Sequence, residues 1–271
     1  MAILAAVIAV VLVSIATIGV YAVLGRAAAV AAPPVNGTFD YQLGGAYRPT
    51  ATTTIVERDR TDEPAANRYS ICYVNAFQTQ PGERARWTGE DAGLVLRTDG
   101  HAVADPEWPG ELLLDTSTPA KRIRIAASVD RWIDDCANNG FDAVEPDNLD
   151  SWTRSHGLLT AADNLALAVM IVRHAHDAGL AVAQKNAPEL AERGVRTIGF
   201  DFAIAEECQQ HSECGMYTDA YGRHVIEIEY TDAPRADFTK ACAARGKQIS
   251  VLLRDRDVVR RGAHGYHDET C

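Results

Sequence analysis

Eight short apolar segments, beginning near residues 38, 53, 70, 141, 180, 198, 224 and 248, recur along this 271-residue chain. Amphipathic helical patterns separate the later ones. A strand joined to a parallel neighbour needs a crossover, usually a helix, so this alternation predicts an α/β fold with parallel strands. Eight such strands fit a (β/α)8 barrel. Nearly every segment hands over to polar residues: Gln42, Glu57, Asn75, Glu145 with Asp147, Lys185 with Asn186, Glu206, Glu229 and Arg254. In a barrel these endings collect on the C-terminal rim, where barrel active sites sit. A doubly wound sheet is the competing arrangement, but no Gly-rich phosphate loop follows any segment.

Residues 38–43, 52–57 and 68–76 read as the first three strands. The connections between them are too short for full helices, so the early barrel should be irregular. Residues 78–110 are polar, with Gly and Pro throughout, and a loop this long inside a compact domain usually has a job. It ends in WPGELLLD, residues 108–115, a short insertion strand or packed turn. Pro119 opens a helix with Ile125, Val129, Trp132, Ile133 and Cys136 on one face, and Gly140 ends it. Thr160 with Asp163 resembles a capping box. The helix it opens should turn Leu165, Ala168, Val169 and Val172 inward and end at Gly179. Residues 180–184, 198–205, 224–229 and 248–253 complete the strands, the seventh ending before Tyr230. A short helix near residues 188–193 and another over residues 236–244 lie between them.

Residues 2–24 carry no charge, a run long enough to span a bilayer core of ~30 Å. Small residues at 27–32 offer a cleavage site of A-x-A type. The chain is therefore expected to be exported, with residues 1–31 as a signal peptide or anchor, 32–37 as a linker and 38–271 as one barrel. Contact with a membrane would come only through that first segment. With 47% apolar residues a sizeable core is available, and the formal charge of −11 argues against nucleic acid and anionic membrane partners. Six cysteines in an exported chain suggest disulfides. Cys208 and Cys214 are close enough to close a small loop just after Glu206, and Cys242 with Cys271 would pin the tail to a late helix. Cys72 and Cys136 remain, as a third pair or as two buried thiols.

The densest chemistry lies at residues 140–152, GFDAVEPDNLDSW. Phe141, Ala143 and Val144 suit a buried strand, which Pro146 interrupts because it has no N–H to donate. Glu145, Asp147 and Asp150 then place three carboxylates within six residues. A solvated acidic loop and an active site both fit such a cluster taken alone. Calcium would want alternating Asp/Asn ligands and a bidentate Glu, which Asp147, Asn148 and Asp150 match loosely. His174 and His176 point to different helix faces and cannot share a metal there. No metal or cofactor is expected. Several carboxylates on one rim, without a nucleophile–base pair, suit glycoside hydrolysis: one carboxylic acid protonates the leaving oxygen, and a second carboxylate attacks the sugar or activates water.

GFDAVEPDNLDSW, AADNLA at residues 161–166, AHDAGLAVAQKN at 175–186 and FDFAIAEECQQHSEC at 200–214 together resemble glycoside hydrolase family 114. YQLGG, ICY, WPGELLLD and HVIEIEY follow in order, so the resemblance covers about residues 38–255. It implies a (β/α)8 barrel acting as an endo-α-1,4-polygalactosaminidase; the chain is expected to be a monomer. The family's acidic pair falls on Asp147 and Glu206, with Gln42, Tyr73, Asn148, Lys185, Asn186, Glu229 and Tyr230 expected along the sugar cleft. Glu145, Asp150 and Glu229 would be further carboxylates for the amines of a cationic polysaccharide. The sequence departs from the family at Tyr41, at Asn75-Ala76-Phe77 and at Ala205. A carbohydrate-binding barrel with reduced catalysis, or a glycosidase of this fold on another glycan, are the other readings.

Overall fold

The computed structural model describes residues 30–271, so nearly all of the predicted export segment lies outside the described residues. Eight strands run parallel in chain order: β1 (Phe39–Tyr41), β2 (Ile55–Asp59), β3 (Tyr69–Asn75), β4 (Ala143–Asp147), β5 (Ala181–Lys185), β6 (Phe202–Glu206), β7 (Val225–Tyr230) and β8 (Ser250–Arg254). A ninth, β9 (Asp268–Thr270), pairs antiparallel with β8. No ladder joins β1 to β8. Side chains close that seam: Arg254 Nε donates to the Tyr41 carbonyl at 3.1 Å and Ser250 Oγ to the Gly37 carbonyl at 2.7 Å. Gly44 bridges to Val259, and a Cβ on Gly44 would lie 2.4 Å from the Val258 carbonyl oxygen, so only glycine lets the backbones approach this closely.

Strand parity divides the core. Successive side chains point to opposite faces, so Phe39, Ile55, Ile71, Ala143, Ala183, Ile204, Ile228 and Leu252 fill the barrel interior. Their neighbours Val74, Val144, Val182, Ala203 and Val251 pack outward against the helices α1 (Pro119–Asn139), α2 (Ala161–Asp177), α3 (Cys214–Tyr221) and α4 (Arg235–Arg245). Helix α1 starts where Thr118 caps the Lys121 amide, and stops at Gly140, whose φ of 90° ends the turn. Thr160 and Asp163 form the reciprocal capping box of α2. Val169 does not face inward as expected; it is exposed, and Ile171 takes the core position. Two strand boundaries also differ from the sequence reading. Residues 194–198 wind into a π-helical turn before β6, and Tyr230 is the last residue of β7.

Residues 78–110, expected to be a long loop, form a folded insertion together with the segment 108–115. A helical turn over Arg84–Thr88 buries Trp87 against Trp132 of α1, ring centroids 6.4 Å apart. Leu112, Leu113 and Leu114 bridge to Ala104, Gln78 and Val95, so WPGELLLD joins this insertion and not the barrel. Disulfides link Cys72 to Cys136, Cys208 to Cys214 and Cys242 to Cys271. Among the described residues, no helix is long and apolar enough to cross a membrane.

Candidate active site

The C-terminal ends of β3 to β7 open into a cleft of about 590 Å³. Three of these strands stop abruptly. Asn148 after β4, Asn186 and Ala187 after β5, and Glu207 after β6 all take left-handed backbone (φ 64°, 50°, 57° and 56°). Asn adopts this region readily; Glu and Ala do so only when the surroundings enforce it. At Glu207 the enforcing partner is Arg256, which donates to both carboxylate oxygens at 3.0 and 2.5 Å.

β5 lies between β4 and β6, and this order sets the central geometry. Lys185, 2% exposed, carries its Nζ 2.8 Å from Glu145 Oε1, 3.5 Å from Asp147 Oδ1 and 3.5 Å from Glu206 Oε2. The Asp147 and Glu206 oxygens are therefore separated by no more than twice the latter distance. Burial pulls the Lys185 ammonium towards neutrality, but Asp147, Glu145 and Glu206 outweigh it and hold the charge firmly. Each of the two rim carboxylates has its own tyrosine. The Tyr73 hydroxyl donates to Asp147 Oδ2 at 2.8 Å, and the Tyr230 hydroxyl donates to Glu206 Oε1. Asn186 Nδ2 also donates to Glu206 Oε2 at 2.8 Å, while its Oδ1 accepts from the Glu206 amide at 2.9 Å.

Tyr73, Asp147, Asn148, Asp150, Lys185, Asn186, Glu206 and Tyr230 line the cleft together. Three residues expected there do not. Gln42 follows the inward Tyr41 and so turns outward, where it is fully buried between Asp40, Arg58 and the Tyr47 amide. Glu229 precedes the inward Tyr230 and likewise points outward, accepting from the Gln209 amide at 2.9 Å. Burial pushes it up to about 7. Glu145 has the inward parity but is fully buried against Lys185 and is not among the residues lining the cleft.

Other cleft residues went unremarked in the sequence. Glu111, on the insertion, accepts from Asn75 Nδ2 at 2.8 Å and is pushed by burial to about 7. Arg154 pairs with buried Asp105 at 2.6 Å and with Asp150 at 3.0 Å, which fastens the insertion to the loop after β4. The i,i+4 spacing of Asp150 and Arg154 was a usable signal; nothing near Arg256 or Glu111 was. The departures from the family pattern fall unevenly. Ala205 faces the helix layer, Asn75 is buried behind the cleft-lining Glu111 to which it donates, and Tyr41 lines the cleft with its hydroxyl 3.3 Å from Lys185 Nζ.

Eleven Asp and Glu side chains line the cleft against three Lys and Arg, so its field favours cations. Among the described residues, the grouping with metal-donor spacing is Cys208, Cys214 and Glu227, and its two sulfurs are joined in a disulfide. What the arrangement offers is a pair of carboxyls converging on one opening, the equipment of glycosidic hydrolysis.

Comparison with curated protein sequences returns no match. Among solved structures, Ega3 of Aspergillus fumigatus, determined in complex with galactosamine, is similar at a TM-score of 0.71 and 22% identity, over 91% of this chain and 100% of that one. The glycoside hydrolase domain of PelA from Pseudomonas aeruginosa is similar at a TM-score of 0.58 and 13% identity, over 85% and 99% of the two chains. These likenesses establish the shared barrel fold. The sequence profile of glycoside hydrolase family GH114 matches residues 21–271, and the protein is thus a glycosidase belonging to that family.

Proposed function

We propose that the chain cleaves internal α-1,4 linkages in a cationic, galactosamine-bearing polysaccharide, with Asp147 and Glu206 as the reacting pair. The observation that carries this reading is the convergence of both carboxyls on Lys185 Nζ, each at 3.5 Å, in a cleft dominated by carboxylates. Galactosamine bound to the structurally similar Ega3 supports the sugar class. In the reaction one carboxyl gives its proton to the glycosidic oxygen while the other, ionised, attacks the anomeric carbon or deprotonates water. Lys185 favours the ionised partner by Coulomb attraction, and the Tyr73 and Tyr230 hydroxyls fix both carboxyl planes. Asp150 is already paired with Arg154, so the sugar ammonium groups meet less committed carboxylates such as Glu111.

The same reading places the enzyme outside the cytoplasm, as a monomer, where three disulfides persist. Reducing-end release from an α-1,4-galactosamine polymer, beside its N-acetylated and neutral counterparts, tests the proposal. Asp147→Asn and Glu206→Gln should each reduce release by at least roughly 10³-fold with melting temperature preserved. Near-full activity in either variant removes that residue from the mechanism, and cleavage of only the neutral polymer overturns the substrate class.

A further inference from the structure

Below the cleft floor the barrel encloses a carboxyl that no conventional donor reaches. Glu57 is 0% exposed, and neither of its oxygens has a hydrogen-bond partner. Register brings it towards the site: β2 sets Glu57 beside Ile71 of β3, and β3 sets Tyr73 beside Glu145 of β4. Glu145 is equally buried, one oxygen accepting from Lys185 and the other without a partner. Both carboxyls thus belong to the same dry interior, on strands separated by β3 alone, and three of their four oxygens have no partner.

Two ionised carboxylates cannot share a dry site without strong repulsion, and a buried polar atom without a partner is costly. One proton resolves both difficulties, because a protonated carboxyl becomes a donor and the open oxygen opposite becomes its acceptor. We infer that Glu57 and Glu145 share a single proton, and that this pair holds the Lys185 ammonium between Asp147 and Glu206. Glu57 is then a positioning residue acting through Glu145 and Lys185.

The groups facing the pair fit this. Tyr41 comes from β1, Tyr73 from β3, Asp147 from β4, Lys185 from β5 and Glu206 from β6, so one cation serves several anions. Burial, then Glu145, pushes Glu57 well above the usual carboxylate range, while burial pushes Glu145 only to about 7 against the pull of Lys185. Lys185 Nζ sits 2.8 Å from Glu145 while Glu57 has no cation beside it, so the proton resides on Glu57 and Glu145 carries the charge that Lys185 sees.

The catalytic consequence rests on the glycosidase reading of Asp147 and Glu206; the shared proton does not. The infrared spectrum of the parent minus that of Glu57→Gln at neutral pH should contain a protonated-carboxyl carbonyl band, over and above the contribution of Glu111 and Glu229 that both proteins share, with no substrate needed. A difference spectrum without that band overturns the inference whatever the enzyme cleaves. With galactosamine oligomers, Glu57→Gln should superimpose on the parent pH profile of kcat/KM, since the amide donates as the acid did and no charge is lost. A downward shift of about one unit would show instead that an anion had been removed, and would sink the idea. Glu57→Ala should lower kcat about tenfold with little change in KM, a loss that Glu57→Gln restores. An unaltered kcat in folded Glu57→Ala would deny the positioning role.

Discussion

Glu229 and Tyr230 are consecutive in the chain and lie on opposite sides of the β7 wall. Tyr230 reaches Glu206 from inside the barrel; Glu229 reaches the Gln209 amide from outside it. Tyr230→Phe should lower kcat by roughly tenfold by removing a charge-assisted hydrogen bond, with folding intact. Glu229→Gln should leave kcat/KM within about twofold. It should also report on pH. Glu229 is raised to about 7 from an ordinary 4.5, so the folded chain holds that proton more tightly and stability is lost as pH rises through this window. The variant should melt higher than the parent at pH 8 and like it at pH 5, by calorimetry. At this scale the sequence announced the polar strand ends but not their facing. Placing the end of β7 one residue early hid the fact that its parity sends Tyr230, and not Glu229, into the cleft.

The insertion at residues 78–115 supplies one wall of the cleft, and its attachment is local. Asp105 is buried, accepts from Gln78 Nε2 and the Glu107 amide, and pairs with Arg154 at 2.6 Å. These partners hold its carboxyl below the usual range despite burial, which acts the other way. Asp105→Ala leaves the Arg154 guanidinium without its buried partner and should cost about 3 kcal/mol, together with a rise in KM larger than any fall in kcat. Denaturant melts and steady-state kinetics check both halves of that expectation. The Cys208–Cys214 link acts on the opposite wall, two residues beyond Glu206. Replacing both cysteines with Ser should lower activity more than stability, because closing so short a loop contributes only about 2–3 kcal/mol. The later strands and helices were legible because periodicity, caps and glycine stops coincided. The insertion was not: Trp87, Leu94, Val103 and Leu113 follow no single period, and they become a core only against α1 and one another.

Across the whole molecule, burial sets both the acid–base behaviour and the weakest line. Glu111, Glu145 and Glu229 are each pushed by burial to about 7 from 4.5, so all three bind protons more tightly folded than unfolded. Stability should fall as pH rises from near 5 to 8. Asp105 and Asp115, both held below the usual range, withdraw their contribution only in stronger acid. Melting temperature should accordingly peak near pH 5; a maximum above pH 7 would contradict this accounting. The barrel count of eight was legible, yet the manner of closure was not, because Arg254, Ser250 and Gly44 make the seam through contacts that strand patterns do not encode. Amide exchange should be slowest along β3 to β6 and fastest beside that seam. The sheet is thus a rolled strip with two margins, and the bond from Cys242 to Cys271 fastens the tail at one of them. Resistance to proteolysis would then depend less on average stability than on how rarely this strip begins to unroll.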